Sequence, residues 1–236
     1  MPIRIAAEDR PEIPALRKEG VQMQKQTEKI QKETEKETDS GNRFSADPRK
    51  SVPGILLAAP SSGSGKTAAA CALMAAFQKK GLAVKACKCG PDYIDPMFHR
   101  KVLGVDSENL DLFFTDEATL EKTYARHGEG ADLVITEGVM GYYDGAGGIT
   151  SKASAYEVAS MTKTPAVLIV NCKGMSVSIV PYIKGFLEYK ENSQIKGVIL
   201  NQMPAMLYPR VKQLIESELE IQVLGYVPKV EDCVIE

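Results

Sequence analysis

The sequence predicts an α/β fold: a parallel sheet with helices on both faces. Two observations predict it. From Ser51 onward, short apolar runs alternate with longer helical stretches, the pattern of repeated βαβ units. The first apolar run leads through a Gly/Ser-rich turn directly into an Ala-rich helical stretch, so strand, loop and helix follow in the order a phosphate-binding loop requires.

Strands are expected near Gly54 to Ala59, Ala83 to Cys87, Asp132 to Thr136, Ala166 to Val170, Gly197 to Leu200 and Gln222 to Gly225. The stretch Lys66 to Lys80, rich in Ala, Leu and Met, reads as a helix closed by Gly81, a residue suited to the left-handed conformation after a helix end. Further helices fit Asp116 to His127, Ala153 to Met161, Met175 to Tyr189 and Tyr208 to Leu219. Residues 1–50 differ in kind. Prolines come early, Lys18 to Asp39 is crowded with Lys, Glu, Gln and Thr, and the apolar residues are too few for a helical stripe, so a disordered polar extension is expected there. The ordered domain is expected over 51–236.

Composition narrows the partners. A formal charge of -2 gives no whole-molecule basis for binding nucleic acid, which favours a basic excess. No apolar run reaches the roughly 18 residues of a membrane helix, and the N-terminus lacks the layout of a secretory signal. Five cysteines without paired Cys-x-x-Cys clusters point to neither a disulfide framework nor a zinc site, so a reducing cytoplasm is the expected compartment.

The turn after the first strand reads Pro60-Ser61-Ser62-Gly63-Ser64-Gly65-Lys66-Thr67 and ends in the Gly-Lys-Thr of a P-loop, which makes the fold P-loop NTPase-like. Gly63 and Gly65 let the backbone curl so that N–H groups, including that of Ser64, face one phosphate. The following helix adds its N-terminal dipole, Lys66 a mobile cation and Thr67 a ligand for Mg²⁺. Pro60 stands where the general pattern has its first glycine.

In open parallel sheets ligands sit beyond the carboxyl ends of the strands. The second strand runs into Lys88-Cys89-Gly90-Pro91-Asp92-Tyr93-Ile94-Asp95-Pro96, whose prolines restrict the backbone and hold Asp92 and Asp95 near one another. The third ends at Glu137 and enters a loop with five glycines between Gly138 and Gly148 that also contains Gly141, Tyr142, Tyr143 and Asp144. Carboxylates converging beside a triphosphate repel it unless a divalent cation lies between, and Thr67, one Asp of the first acidic loop and Glu137 form a plausible Mg²⁺ shell. Either Asp alone also reads as a turn or helix cap. Lys88 reads as a solvated strand-end lysine or as a second phosphate clamp. Tyr142 and Tyr143 read as ordinary loop tyrosines or as rings that stack on a flat substrate. His99 and His127 have no partner at metal-ligand spacing and are expected to be structural.

The segments Ala59 to Thr67, Lys88 to His99 and Glu137 to Gly145, with Val198 to Asn201 and Gly225 to Lys229, closely resemble the N-terminal ATP-binding domain of the cobyrinic acid a,c-diamide synthase family over about residues 52–230. The strings Gly-Pro-Asp-Tyr-Ile-Asp-Pro and Glu-Gly-Val-Met-Gly-Tyr-Tyr-Asp-Gly are far more specific than the P-loop. The resemblance implies a dethiobiotin synthetase-like amidoligase that spends ATP to phosphorylate the a and c acetate carboxylates of a corrin precursor, after which ammonia displaces phosphate. It implies Lys66, Asp92, Asp95 and Asp144 as catalytic residues. Nucleotide binding falls to Gly63, Ser64, Gly65, Lys66, Thr67 and Lys88, with Asn201 near the adenine and Pro228 beside it. Thr67, Asp95 and Glu137 are the Mg²⁺ ligands, and Tyr93, Ile94, Gly141 and Tyr142 the substrate contacts. Asn171 stands where the family more often has Asp. The family usually continues into a glutamine amidotransferase domain that has no counterpart before Glu236, so a separate glutaminase domain or subunit is the expected ammonia source, and a homodimer is compatible with the reading. Two rivals remain open: a related synthase acting on nickel-sirohydrochlorin, and a ParA/MinD-like switch ATPase, whose signature lysine position is occupied here by Ser61.

Overall fold

In β1 (Gly54–Ala58) and the residue after it, Leu56 and Ala58 belong to one buried cluster and Leu57 and Ala59 to another. That period of two, with both sets buried, is what a strand covered on both faces requires. The computed structural model describes residues 53–230; the extension expected over 1–50 lies outside the described residues. Within them the chain forms one seven-stranded sheet in the order β3-β2-β4-β1-β5-β6-β7, with every pairing parallel.

After β1, α1 (Lys66–Lys79) packs Ala70 and Met74 onto one face of the sheet, with Ala86, Ile135 and Val167 beneath them. β2 (Val84–Cys89) leads into a short α2 (Ile94–Phe98), continued by one wider π turn at His99–Leu103. β3 (Ser107–Leu110) follows as the edge strand. The other face is covered by α3 (Glu117–His127), α4 (Ala155–Thr162), α5 (Ile179–Glu188) and α6 (Tyr208–Glu218), which alternate with β4 (Leu133–Glu137), β5 (Ala166–Asn171), β6 (Ile195–Asn201) and β7 (Gln222–Val227). Their inward residues, among them Leu120, Val158, Ile183 and Ile215, join Leu56, Leu168 and Val198 in the larger core cluster.

The caps agree with the local sequence. Asp116 and Ser154 accept hydrogen bonds from the backbone N–H of Thr119 and Glu157, satisfying otherwise unpaired donors at the starts of α3 and α4. Pro181 falls in the first turn of α5 and Pro209 in that of α6, where a missing N–H costs no helical bond. The six expected strands and the helices at 66, 116, 153, 175 and 208 all form, with ends shifted by a few residues. Two shifts matter. β2 runs on to Cys89, which puts Lys88 inside the sheet, and α5 starts only at Ile179. β3 was not expected at all: Ser-Glu-Asn-Leu lacks strand-forming residues, and it is held by pairing with β2 and by burial of Ser107 and Leu110.

A candidate nucleotide-binding site

The site assembles at the carboxyl edge of β1, β2 and β4, where strand order turns about β1. Parallel register places Lys88 of β2 directly beside Glu137 of β4, and Leu57 of β1 on the other side of Glu137. Neighbouring strands lie about 4.8 Å apart, so a lysine and a glutamate at paired positions meet without any loop to position them. Lys88 Nζ donates to Glu137 Oε1 at 2.9 Å and to Asp95 Oδ2 at 2.5 Å, and stands 3.8 Å from Asp92. Glu137 is fully buried, and Thr67 Oγ1 donates to the same Oε1 at 2.6 Å.

This geometry revises one step of the sequence argument. Converging carboxylates were expected to need a divalent cation between them; the Lys88 ammonium already occupies that place. Burial alone would lower the Lys88 pKa, but Glu137 and Asp95 outweigh it and the pKa is raised. Burial raises the Glu137 carboxyl, opposed by Lys88 and Thr67. Among the described residues no group of three or more His, Cys, Asp and Glu is arranged to hold a metal by itself. The chemistry still fits Mg²⁺, which takes one or two protein oxygens and completes its shell with phosphate and water. Thr67 and Glu137 supply a hydroxyl and a carboxylate in contact, and Glu137 Oε2 is buried without a hydrogen-bond partner.

The phosphate loop takes the expected form. Gly63 and Gly65 have φ of 72° and 93°, values open to glycine, and Gly65 caps α1. Ser64 and Lys66 are buried. Lys66 Nζ donates to the carbonyls of Ser61 at 3.1 Å and Met140 at 2.6 Å, so it bridges the phosphate loop and the glycine-rich loop. Burial and the Lys88 charge lower its pKa. Asn201, at the end of β6, donates from Nδ2 to the Ser64 carbonyl at 2.9 Å. A Cβ on Gly65 would lie 2.4 Å from that nitrogen, so the loop and the asparagine fit only because residue 65 is glycine. Pro228 follows Val227, the register partner of Asn201 on β7, and is exposed.

In the first acidic loop Asp92 Oδ1 accepts from the N–H of Ile94 at 2.9 Å, so Asp92 does cap the turn, while Asp95 turns inward to Lys88. Tyr93 and Ile94 are largely exposed, 83% and 66%, and free to meet a ligand. In the other loop Asp144 Oδ2 accepts from Gly141 N at 2.9 Å, and a Cβ on Gly141 would come within 2.6 Å of the Pro60 carbonyl, so Gly141 is required by close approach of two backbones.

Tyr142 is a correction. It was named as a substrate contact, but its ring is fully buried, packs edge-on against Tyr156 and donates to the Ser193 carbonyl at 2.7 Å. It is a core residue. Its neighbour Tyr143 is the one that faces a cavity, with Asp144, Tyr182, Phe186 and Tyr189. The signal was present in α5 and the residue that follows it, where Tyr182, Phe186 and Tyr189 recur at helical spacing. His127 is structural, bonded to the Ala86 carbonyl at 2.9 Å, but His99 is buried against the site, with Nδ1 3.1 Å from Ser107 Oγ and Nε2 3.7 Å from Glu137 Oε2. Burial lowers its pKa.

A Gly-Lys-Thr phosphate loop with its lysine buried, joined to an inward-facing carboxylate on the adjacent strand, defines a nucleotide-binding domain, and the family model described as "CobQ/CobB/MinD/ParA nucleotide binding domain" matches residues 55–235. The chain belongs to that family. It is 42% identical over 177 residues to cobyrinate a,c-diamide synthase of Listeria innocua, covering 74% of this chain and 39% of that protein. It is also 38% identical over 181 residues to hydrogenobyrinate a,c-diamide synthase of Streptomyces coelicolor, covering 77% and 37%. The chain therefore spans about two fifths of the length of these curated relatives. Among solved structures, chloroplast FtsY of Physcomitrella patens superposes with a TM-score of 0.57 at 14% identity, covering 81% of this chain and 61% of that one; at that identity the likeness concerns the fold alone.

Proposed function

We propose that this chain is the ATP-using part of a ligase that amidates the a and c acetate carboxylates of cobyrinate. The observation that carries the reading is the convergence of Lys66, Thr67, Lys88, Asp95 and Glu137 on one rim of the sheet, beside the exposed Tyr93 and Ile94. The names of the curated relatives support the choice of a corrin acid over other carboxylates.

A carboxylate resists attack by ammonia, so it is first converted to an acyl phosphate. A carboxylate oxygen of the substrate bonds to the γ-phosphorus while the bond from that phosphorus to ADP breaks; ammonia then attacks the acyl carbon and phosphate leaves with its bonding pair. The chain's residues act on the first step. Gly63, Ser64 and Gly65 present backbone N–H groups to the phosphates, and Lys66 exchanges the Met140 and Ser61 carbonyls for phosphate oxygens. Lys88 is positioned to balance negative charge between the transferred group and the acceptor carboxylate. Thr67, Glu137 and, alongside them, Asp95 would hold Mg²⁺, which would supply positive charge to offset that of the phosphates. Asn201 and Pro228 form the side toward which the adenine is directed, Asn201 releasing the Ser64 carbonyl as it does so. Asp144 holds Gly141 and with it the mouth of the glycine-rich loop. A glutaminase domain or subunit delivers the ammonia, and the reaction belongs to a reducing cytoplasm.

Incubation of the chain with ATP, Mg²⁺, ammonium and either cobyrinate or nickel-sirohydrochlorin, followed by mass analysis, tests the reading. Two successive losses of about one mass unit per amidation are expected with cobyrinate. Efficient use of glutamine in place of ammonium would contradict the separate ammonia source, and product from nickel-sirohydrochlorin alone would reassign the substrate. Glu137→Gln is expected to abolish turnover with the fold intact; undiminished turnover would remove Glu137 from the mechanism.

A further inference from the structure

A cavity of about 510 Å³ opens beside the phosphate loop. Its near end is formed by Pro60, the first residue of that loop, and by Asp144; its far wall is aromatic, made by Tyr182, Phe186 and Tyr189 around Tyr143. The wall is preorganised. Tyr143 stacks on Phe186 with centroids 5.7 Å apart and planes 19° apart, meets Tyr189 at 4.9 Å, and donates its hydroxyl to the Phe186 carbonyl at 2.7 Å. Tyr182 meets Phe186 edge-on at 5.7 Å. The rings at the rim nevertheless remain open: Tyr182 is 39% and Tyr189 65% exposed, and Ile149 across the mouth is 95% exposed. Lys190 Nζ stands 5.2 Å from the centre of the Tyr189 ring and 6.0 Å from that of Tyr156, behind the residues that line the cavity.

Large exposed aromatic surface around a rigid concavity is the composition of a small-molecule seat, and the volume suits a ligand portion of drug size. The ligand chemistry follows from the two ends. One wall offers ring faces for an unsaturated, apolar plane, and the opposite end meets the phosphate loop, where on the reading above an acid arm of the ligand would be activated. We propose that this cavity seats one pyrrole-derived edge of a polycarboxylate macrocycle, holding the ring against Tyr182 and Tyr189 so that an acetate arm reaches the phosphate loop. The proposal rests on the ligase reading above, and assigns macrocycle recognition to α5 rather than to Tyr142.

The test is equilibrium dialysis of cobyrinate against the chain and against Tyr182→Ser/Tyr189→Ser and Tyr189→Phe variants, with ATP affinity measured by calorimetry in parallel. Both rim rings are exposed, so the variants keep the core. The double variant is expected to bind cobyrinate about tenfold more weakly and ATP within twofold of the parent, while Tyr189→Phe, which retains the ring, stays within twofold for both. Cobyrinate affinity within twofold in the double variant would overturn the assignment. So would a double variant that keeps cobyrinate affinity but shifts self-association in sedimentation, which would make the wall a contact between copies. Binding through the cavity without amide product would leave the seat standing and remove the ligase activity; no cobyrinate binding by the parent chain would remove both.

Discussion

Replacing Lys88 by Met keeps much of the side-chain volume and deletes the ammonium between three carboxylates. At an effective dielectric of about 20, attraction is about 6 kcal/mol to Glu137 at 2.9 Å and about 7 kcal/mol to Asp95 at 2.5 Å. Desolvation of Lys88 offsets much of this, but removing the lysine does not return Glu137 to water, because its side chain is wholly buried. Breaking a buried pair from one side costs about 3–5 kcal/mol, which for a domain of this size lowers Tm by about 10 °C. Urea denaturation at pH 7, with chelator and without nucleotide, measures it. The sign of the pH dependence follows from Glu137. Its folded pKa is raised by burial, so its contribution is fully present below its ordinary value of 4.5 and is lost as pH rises through the folded value. Without Lys88 the folded value rises further, so the deficit relative to the parent should shrink as pH falls toward 4.5 and grow toward neutrality. Lys88→Met/Glu137→Gln should recover more than half of the loss, since the uncompensated charge is gone. A deficit below about 1 kcal/mol, or one independent of pH, would refute the claim that these charges depend on each other.

Gly65→Ala places a methyl at φ 93° and within 2.4 Å of Asn201 Nδ2, so ATP affinity should fall at least about tenfold by calorimetry, with about 1–2 kcal/mol lost in stability. Tyr142→Phe removes the hydrogen bond to Ser193 and should cost about 1 kcal/mol while leaving cobyrinate dialysis unchanged; weakened cobyrinate binding would restore Tyr142 as a substrate contact. Cys71, Cys87, Cys89 and Cys172 are all buried, and burial pushes Cys71 up to about 11 and Cys89 and Cys172 up to about 12. A thiol reagent at pH 8 should therefore leave these four unmodified in the native chain and modify them in denaturant, as peptide mapping would record.

Legibility in the sequence followed the kind of force involved. β5, Ala-Val-Leu-Ile-Val-Asn, declares itself because a strand covered on both faces must be apolar throughout, and the Gly-Lys-Thr turn because few other residues satisfy that backbone. β3 stayed hidden because pairing with β2 overrides its polar composition. Tyr142 and Tyr143 are identical in type and adjacent, so only the backbone direction into and out of the glycine-rich loop separates a core ring from a cavity wall. Lys88 was ambiguous because its role depends on whether β2 ends before or after it, a matter of two residues that strand composition does not decide. The convergence of the two acidic loops was anticipated from the rule for strand ends; the ammonium at their centre was not.

The two lysines of the site are anchored in different ways. Lys88 belongs to a strand, and its neighbour across the ladder is Glu137, so the sheet itself keeps the two backbones side by side. Lys66 opens a helix and rests on two carbonyl oxygens, which any better acceptor can replace. An arriving anion thus meets one charge that is part of the framework and one that can travel with it, and the cost of reorganisation on entry falls almost entirely on the second.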